Sequence, residues 1–457
     1  MVAELNPDMI IQLGEKAVET AVQKGASEAE AFINEFLETS VSIEKGQINK
    51  NLRKKGQGLG IRAVYNNAIG FSYTNMLDDR SVKETAAEAV KSARASRPDE
   101  DWPGFPTPQK YGVTKDTFDK KLASISSEEL VNIAVNMLEE SADVDKRVLA
   151  AWGSVQASLS SKAVINSHGI EAYDKGTSIE CFLGTIAREG NQVTPICAEF
   201  NSNRVLNIDP AWVGREAARR AVSALNSKKA DSGNITIVFG HMALYGLLYY
   251  TFINSVKADR VQREQSVLKG KIGEKIASAE ATVYDDGLMA NGMQTWKFDD
   301  EGVPRRKTPI LEKGILKHFL YDCYTAKKDT TESTGNAWRR EPTQYLSTPT
   351  IEATNFTVTP RNRSPDTLIE EVDEGAIVYG LQGAHSSNPA TGEYSVVATP
   401  AWKIEKGEIT HPIKAAMLAG TISDFWYNIS GIANNVRKIN LLVTPWIRTE
   451  NIRIIGK

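Results

Sequence analysis

The chain has 457 residues, with 54 Lys+Arg against 57 Asp+Glu, a formal net charge of −3, and 41% apolar and 24% charged residues, the composition of an ordinary globular protein. At roughly 150 residues per domain this length suits two to four domains, and the near-neutral charge argues against a dedicated nucleic-acid binder. No apolar stretch approaches the roughly 18 residues a membrane span needs, and the opening residues lack the basic and apolar regions of a secretory signal, so a cytoplasmic location is expected.

In chain order, the first helical pattern covers residues 8–24, with Ile10, Leu13, Ala17, Val18 and Ala21 on one face and Gly25 closing it. Val41 and Ile43 then alternate with polar residues before Gly46, a turn position. A second alternating run over 58–73 carries Leu59, Ile61, Ala63, Ile69 and Phe71 around the turn-prone Asn66-Asn67. A helix over 81–93 ends this unit, and the proline-rich stretch 97–120 reads as a linker or surface loop. The order then recurs. Ser126 and Glu129 form a capping box ahead of a stripe of Leu130, Ile133, Ala134, Met137 and Leu138. Strands are expected over 148–159, 162–165 and 177–186, and a helix over 211–225. Lys83-Glu84-Thr85-Ala86 in one closing helix matches Arg215-Glu216-Ala217-Ala218 in the other, so duplication is the favoured reading. From Asn234 the pattern changes to a buried strand, an apolar segment over 241–256, and many short strand-and-turn segments. The fold class is α+β: two related helix–strands–helix units (1–96 and 121–230, joined by 97–120), then a large, mainly antiparallel β-rich domain over 231–457.

Candidate chemistry is sparse. The zinc-protease signature HExxH, a P-loop, GxSxG and any Cys/His cluster with metal spacing are all absent. Cys181, Cys197 and Cys323 form no CxxC pair and read as reduced, mostly buried thiols. Gly56-Gln57-Gly58-Leu59-Gly60 is half a dinucleotide fingerprint in strand context, and the basic runs 50–55 and 305–307 read as solvated surface. His168 reads as a solvated turn residue. His318 and Asp322 share a face if their segment is a strand, with Cys323 on the other. His241 opens the apolar segment as a helix-start or partly buried histidine. His385 lies among small residues, in Gly380 to Tyr394, where a ligand's backbone could approach.

The sequence resembles the TldD/PmbA (TldD/TldE) family, once labelled modulators of DNA gyrase. The resemblance rests on Phe298-Asp299-Asp300-Glu301-Gly302-Val303-Pro304, Thr308-Pro309-Ile310-Leu311-Glu312-Lys313-Gly314, Leu320-Tyr321-Asp322, Ser333-Thr334-Gly335-Asn336-Ala337 and Asn388-Pro389-Ala390-Thr391-Gly392-Glu393-Tyr394-Ser395. It implies a two-subunit peptidase whose TldD-type subunit holds zinc through a helical HExxxH and a distant cysteine. Ligands five apart on a regular helix point about 140° away from each other, so that helix needs a π-type irregularity.

In this chain the equivalent segment is His241-Met242-Ala243-Leu244-Tyr245-Gly246, with Met242 replacing the Glu and Gly246 the second His. The stretch expected to hold the cysteine, 431–435, has none. The resemblance therefore implies a TldE-type subunit with no catalytic residue and no metal or cofactor of its own, zinc being expected in a TldD-type partner. The expected associations are a heterodimer with that partner or a homodimer, and a small or unfolded peptide substrate, with no membrane or nucleic acid. Gly383, His385, Ser386, Asn388 and Tyr394 are the expected chamber-lining or peptide-binding residues. Two alternatives stand beside this: a stand-alone metallopeptidase using scattered residues such as His241, His385 and Cys323, and a non-enzymatic regulator.

Overall fold

The computed structural model describes residues 6–456. The first helical pattern forms α1 (Pro7–Gln23), capped by the Asn6 side chain and burying Ile10, Ala17, Val18 and Ala21. Then come β1 (Glu28–Glu44), β2 (Gln47–Tyr65), β3 (Ala68–Thr74) and α2 (Asp79–Ala95). Residues 96–119 form no helix or strand but are tied down: the Phe105 amide donates to Glu28 (2.9 Å) and the Tyr111 hydroxyl to the Gly302 carbonyl (3.1 Å). The second set is α3 (Lys120–Ala123), α4 (Ser127–Ala142), β4 (Val148–Asn166), β5 (Glu171–Glu189), β6 (Gln192–Val193), β7 (Cys197–Asn203) and α5 (Pro210–Ser223). The Ser126–Glu129 capping box is present.

Both sets join one seven-stranded antiparallel sheet. Its order is β3-β2-β1-β4-β5, with β6 and β7 each paired to β5, and β1 and β4 zip together from Glu30↔Asn166 to Glu44↔Trp152. The expected strands 148–159 and 162–165 are in fact one. Lys162, which breaks the apolar alternation, turns inward to Asp300 at 2.6 Å and is 2% exposed.

Side chains alternate across a strand, so β1 sorts its residues by parity. Ala29, Ala31, Ile33, Val41 and Ile43 pack beneath the helices, in cores shared with α1 and α2 at one end and α4 and α5 at the other. Glu30, Phe32, Asn34 and Glu38 face the opposite way, toward the third domain. The Gly-rich run of β2 serves this same face: a Cβ at Gly58 would lie 2.4 Å from the Tyr345 ring, and one at Gly60 2.5 Å from the Tyr345 carbonyl. From Gly58 back to Gln47, β2 pairs with β1 alone. Its other edge meets no strand among the described residues and displays exposed Lys50, Arg53 and Lys54.

The third domain holds a nine-stranded and a six-stranded sheet, mainly antiparallel as expected. The parallel pairs are β8 (Gly233–Phe239) with Glu374–Val378, and Phe356–Val358 with Leu442–Thr444. It seats on the polar face of the N-terminal sheet through buried charges. Arg62 of β2 grips Glu30 of β1 with two bonds (2.7 and 2.9 Å) and reaches Glu301 at 3.1 Å. Arg339 meets Glu30 at 2.7 Å, and its amide donates to Asp300, the partner of Lys162. A second tie joins Glu199 of β7 to Arg220 of α5 (2.8 Å) and to Arg437 (2.7 Å).

Replacing Arg62 by Met leaves Glu30 and Glu301 short of a cation in the interior. The expected cost is about 3–5 kcal/mol, read as a lowered urea midpoint. A cost below about 1 kcal/mol would mean that the seam is held by apolar packing alone.

Candidate functional site

His241 is the first residue of α6 (His241–Leu248), directly after β8, with Gly240 as a cap that offers no side chain. Its ring is buried and fully hydrogen-bonded. The Trp446 indole N–H, which can only donate, lies 3.1 Å from Nδ1, so Nδ1 accepts and Nε2 carries the proton that it gives to the Asn435 carbonyl at 2.7 Å. Asn435 closes the circle by accepting the Trp446 backbone amide on its own side chain (3.1 Å). Burial, with the nearby Arg437 charge second, pushes the His241 pKa down to about 4.

Asn435 belongs to the segment in which the resemblance leads one to expect a cysteine, so the fold brings together the two segments that the resemblance singles out. The donor set does not fit zinc. A zinc ligand needs a free imidazole lone pair, and the lone pair of His241 already receives Trp446. Met242 and Gly246 supply no base and no imidazole, and residues 431–435 supply no thiolate. A Cβ at Gly246 would meet Leu381 and Ala384 at 3.9 and 3.8 Å. The helix does carry a π-helical turn, but at Tyr249–Ile253, beyond both ligand positions.

The remaining sequence candidates lie apart from His241. His385 is exposed on a 3-10 turn, Ala384–Ser386, edge-on to the Tyr250 ring at 6.3 Å, and follows Gly383 at φ 83°. Cys323 opens a short helix whose cap is Asp322, and its amide donates to Glu301 (2.9 Å). The segment is not a strand that would put His318 and Asp322 on one face: an Asp that accepts the Thr325 amide and hydroxyl is better satisfied as a cap. Among the described residues no three His, Cys, Asp or Glu side chains are grouped to hold a metal ion.

His168 sits on an exposed turn, as expected, and is also held in place there. Nδ1 lies 2.7 Å from the Phe105 carbonyl and Nε2 3.3 Å from Glu28, so it pins the 96–119 segment to the sheet. Arg305, expected on a solvated basic run, is buried.

Of the expected lining residues, Ser386, Asn388 and Tyr394 border one shallow recess of about 470 Å³, with Glu393, Ser395 and Thr421; Gly383 and His385 do not border it. Tyr394 is embedded in the third domain's core, and the Ser386 hydroxyl is bound to the Gly383 carbonyl at 2.7 Å.

A more structured cleft, about 400 Å³, lies elsewhere, where the polar face of the N-terminal sheet meets α6. Its floor is a grid. Glu38 of β1 stands across from Ser158 of β4, which stands across from Ser178 of β5, and Gln156 stands beside Glu180. Tyr245 and Tyr249, whose rings stack at 5.6 Å, form one wall, and Trp296, Glu341, Gln344 and Arg204 close the rest. Sequence reasoning missed this site because its carboxylates lie on three separate segments, Glu38, Glu180 and Glu341. The acidic run 299–301 gave a signal, but for the seam: Asp299 accepts the amides of Glu301, Val303 and Ala337, while Asp300 and Glu301 take Lys162 and Arg62.

Comparison with known proteins covers nearly the whole chain. Residues 29–93, 120–225 and 232–456 match the family models described as PmbA/TldA metallopeptidase domain 1, central domain and C-terminal domain. An uncharacterized protein of Methanocaldococcus jannaschii is 29% identical, across 94% of this chain and 97% of its own. Metalloprotease PmbA of Escherichia coli O157:H7 is 26% identical across 97% and 96%. The crystal structure of TldE from Thermococcus kodakarensis superposes with a TM-score of 0.92 at 31% identity, covering 97% of this chain and all of that one.

The His241 environment predicts a pH signature. Its pKa of about 4 lies below the ordinary 6.5, so the unfolded chain binds the extra proton between these values and stability falls as pH drops from 6.5 toward 4. The slope is up to about 1.4 kcal/mol per pH unit. The variant His241→Gln keeps a donor and an acceptor but cannot titrate. Urea unfolding across this range should show a shallower acid loss for the variant, by about 3 kcal/mol in total; parallel curves would refute the assignment.

Proposed function

The chain belongs to the PmbA/TldD metallopeptidase family, and within it we propose that this protein is a non-catalytic TldE-type subunit that pairs with a TldD-type zinc peptidase acting on small or unfolded peptides. One observation carries the reading: the only histidine left in the motif segment has both ring nitrogens engaged by Trp446 and Asn435. Met242 and Gly246 in place of the acid and the second imidazole, and the likeness to TldE of Thermococcus kodakarensis, support it.

In this reading the chain carries no cofactor, and the zinc and the water-activating glutamate come from the partner. What this subunit contributes is a wall. A peptidase site enclosed by a second subunit excludes folded proteins and holds an extended segment away from bulk water. Edge positions around Asn388 and Ser386 are where an extended backbone would be held. The complex works in the cytoplasm, as a heterodimer or, without a TldD-type subunit, as a homodimer.

The test is to purify the chain alone without chelators, measure zinc by elemental analysis, and assay peptide cleavage alone and after mixing with a TldD-type subunit. Zinc well below one per chain and cleavage only in the mixture are expected. Near-stoichiometric zinc, or cleavage by the chain alone, would overturn the proposal.

A further inference from the structure

The cleft between the N-terminal sheet and α6 presents hydrogen-bond acceptors with little to receive. Its lining arginine is already engaged: Arg204 donates to the backbone carbonyls of Thr117, Thr177, Gly292, Met293 and Thr295 at 2.6–3.3 Å. The carboxylates are not. Among the described residues Glu38 receives only the Gln156 amide, at 3.2 Å. Glu180 and Glu341 have no hydrogen bond or ion pair with the described residues. Gln344, 5% exposed, turns its amide nitrogen to Asp300 (3.4 Å), which leaves its oxygen without a donor among the described residues.

The surroundings sharpen the imbalance. Burial, then Glu38 and Glu341, raise the Glu180 pKa, while Glu341 itself is exposed where it lines the cleft. Phe36, Tyr245 and Tyr249 supply apolar walls for a hydrocarbon stem. An anion would meet carboxylates here, and a neutral ligand would leave them unpaired. A protonated amine brings three N–H donors to three carboxylates and cancels their repulsion.

We propose that this cleft is a subsite for a cationic nitrogen of a peptide, the protonated amine of its amino terminus or of a lysine, held by Glu38, Glu180 and Glu341. The peptide rests on the partner-subunit reading; the charge preference rests on the cleft alone. In the assembled peptidase such a site would anchor one end of the substrate and so bias selection toward peptides with a free amine.

The test is isothermal titration of the full chain with three short Gly/Ala peptides: one with a free amino terminus, one acetylated, and one acetylated but carrying a single lysine. The acetylated, lysine-free peptide should bind at least about tenfold more weakly than one of the charged peptides. The charged peptide that binds more tightly identifies the source of the amine. In Glu38→Gln/Glu180→Gln the preference should vanish. That variant removes like-charge repulsion, so its thermal midpoint should not fall, and Glu180→Gln alone gives a second reading of the same effect. Equal affinities, no binding, or a preference that survives both variants would overturn the subsite. Its failure in a zinc-free chain leaves the partner-subunit reading standing; zinc bound by the chain overturns that reading whatever the peptides do.

Discussion

The architecture depends on carboxylates that cannot be buried unless cations from a distant part of the chain reach them. Asp300 and Glu301 sit in the third domain, and Lys162 and Arg62 sit on the N-terminal sheet. Glu30 is held from both sides, by Arg62 within the sheet and by Arg339 across the seam. A buried ion pair adds little net stability compared with apolar packing, but it tolerates no misplaced partner. Such a seam works chiefly as a register device: it fixes where the third domain docks along strands of 17 and 19 residues that apolar contacts alone would let slide. That a run of three acids has three different partners, with Asp299 closing its own loop, makes the same point locally.

Docking in that register places α6 over the floor of the sheet and so creates the cleft. It also sets the surroundings of His241. The neighbouring Glu199–Arg437 tie leaves Arg437 close enough to weigh against protonation of the imidazole. The helix start, the His241 ring and the 431–435 segment meet there through the Trp446 indole and the Asn435 carbonyl. This helix also serves the core, where its Leu244, Leu247 and Leu248 are fully buried.

Much of this was legible in the sequence. The helices α1, α2, α4 and α5 fall within a few residues of their expected spans, because each has a one-sided apolar stripe and an Asn, Asp or Ser cap that the local sequence declares. The repeated order of elements was readable for the same reason. The long strands were not. Their outward face changes partner along its length, from the third domain to solvent, and the charges that face the third domain mimic turn or surface residues. Lys162 is the plainest case, and Arg305, in the third domain, is buried in the same way. Their environment is set by residues far away in the chain, which periodicity cannot report. The cleft was invisible on similar grounds, since its three carboxylates come together only through strand pairing and docking.

One consequence follows from the lone outer half of β2. A row of unmet backbone groups is a template for another chain, and natural sheets guard such rows with charge. Here Lys50, Arg53 and Lys54 stand on the exposed hairpin, so two copies approaching edge to edge set like charges against each other. The reach of that repulsion shrinks from about 8 Å at physiological salt to about 3 Å at 1 M, while the hydrogen-bonding groups stay where they are. Ionic strength therefore sets how well this hairpin is guarded, while its shape stays the same.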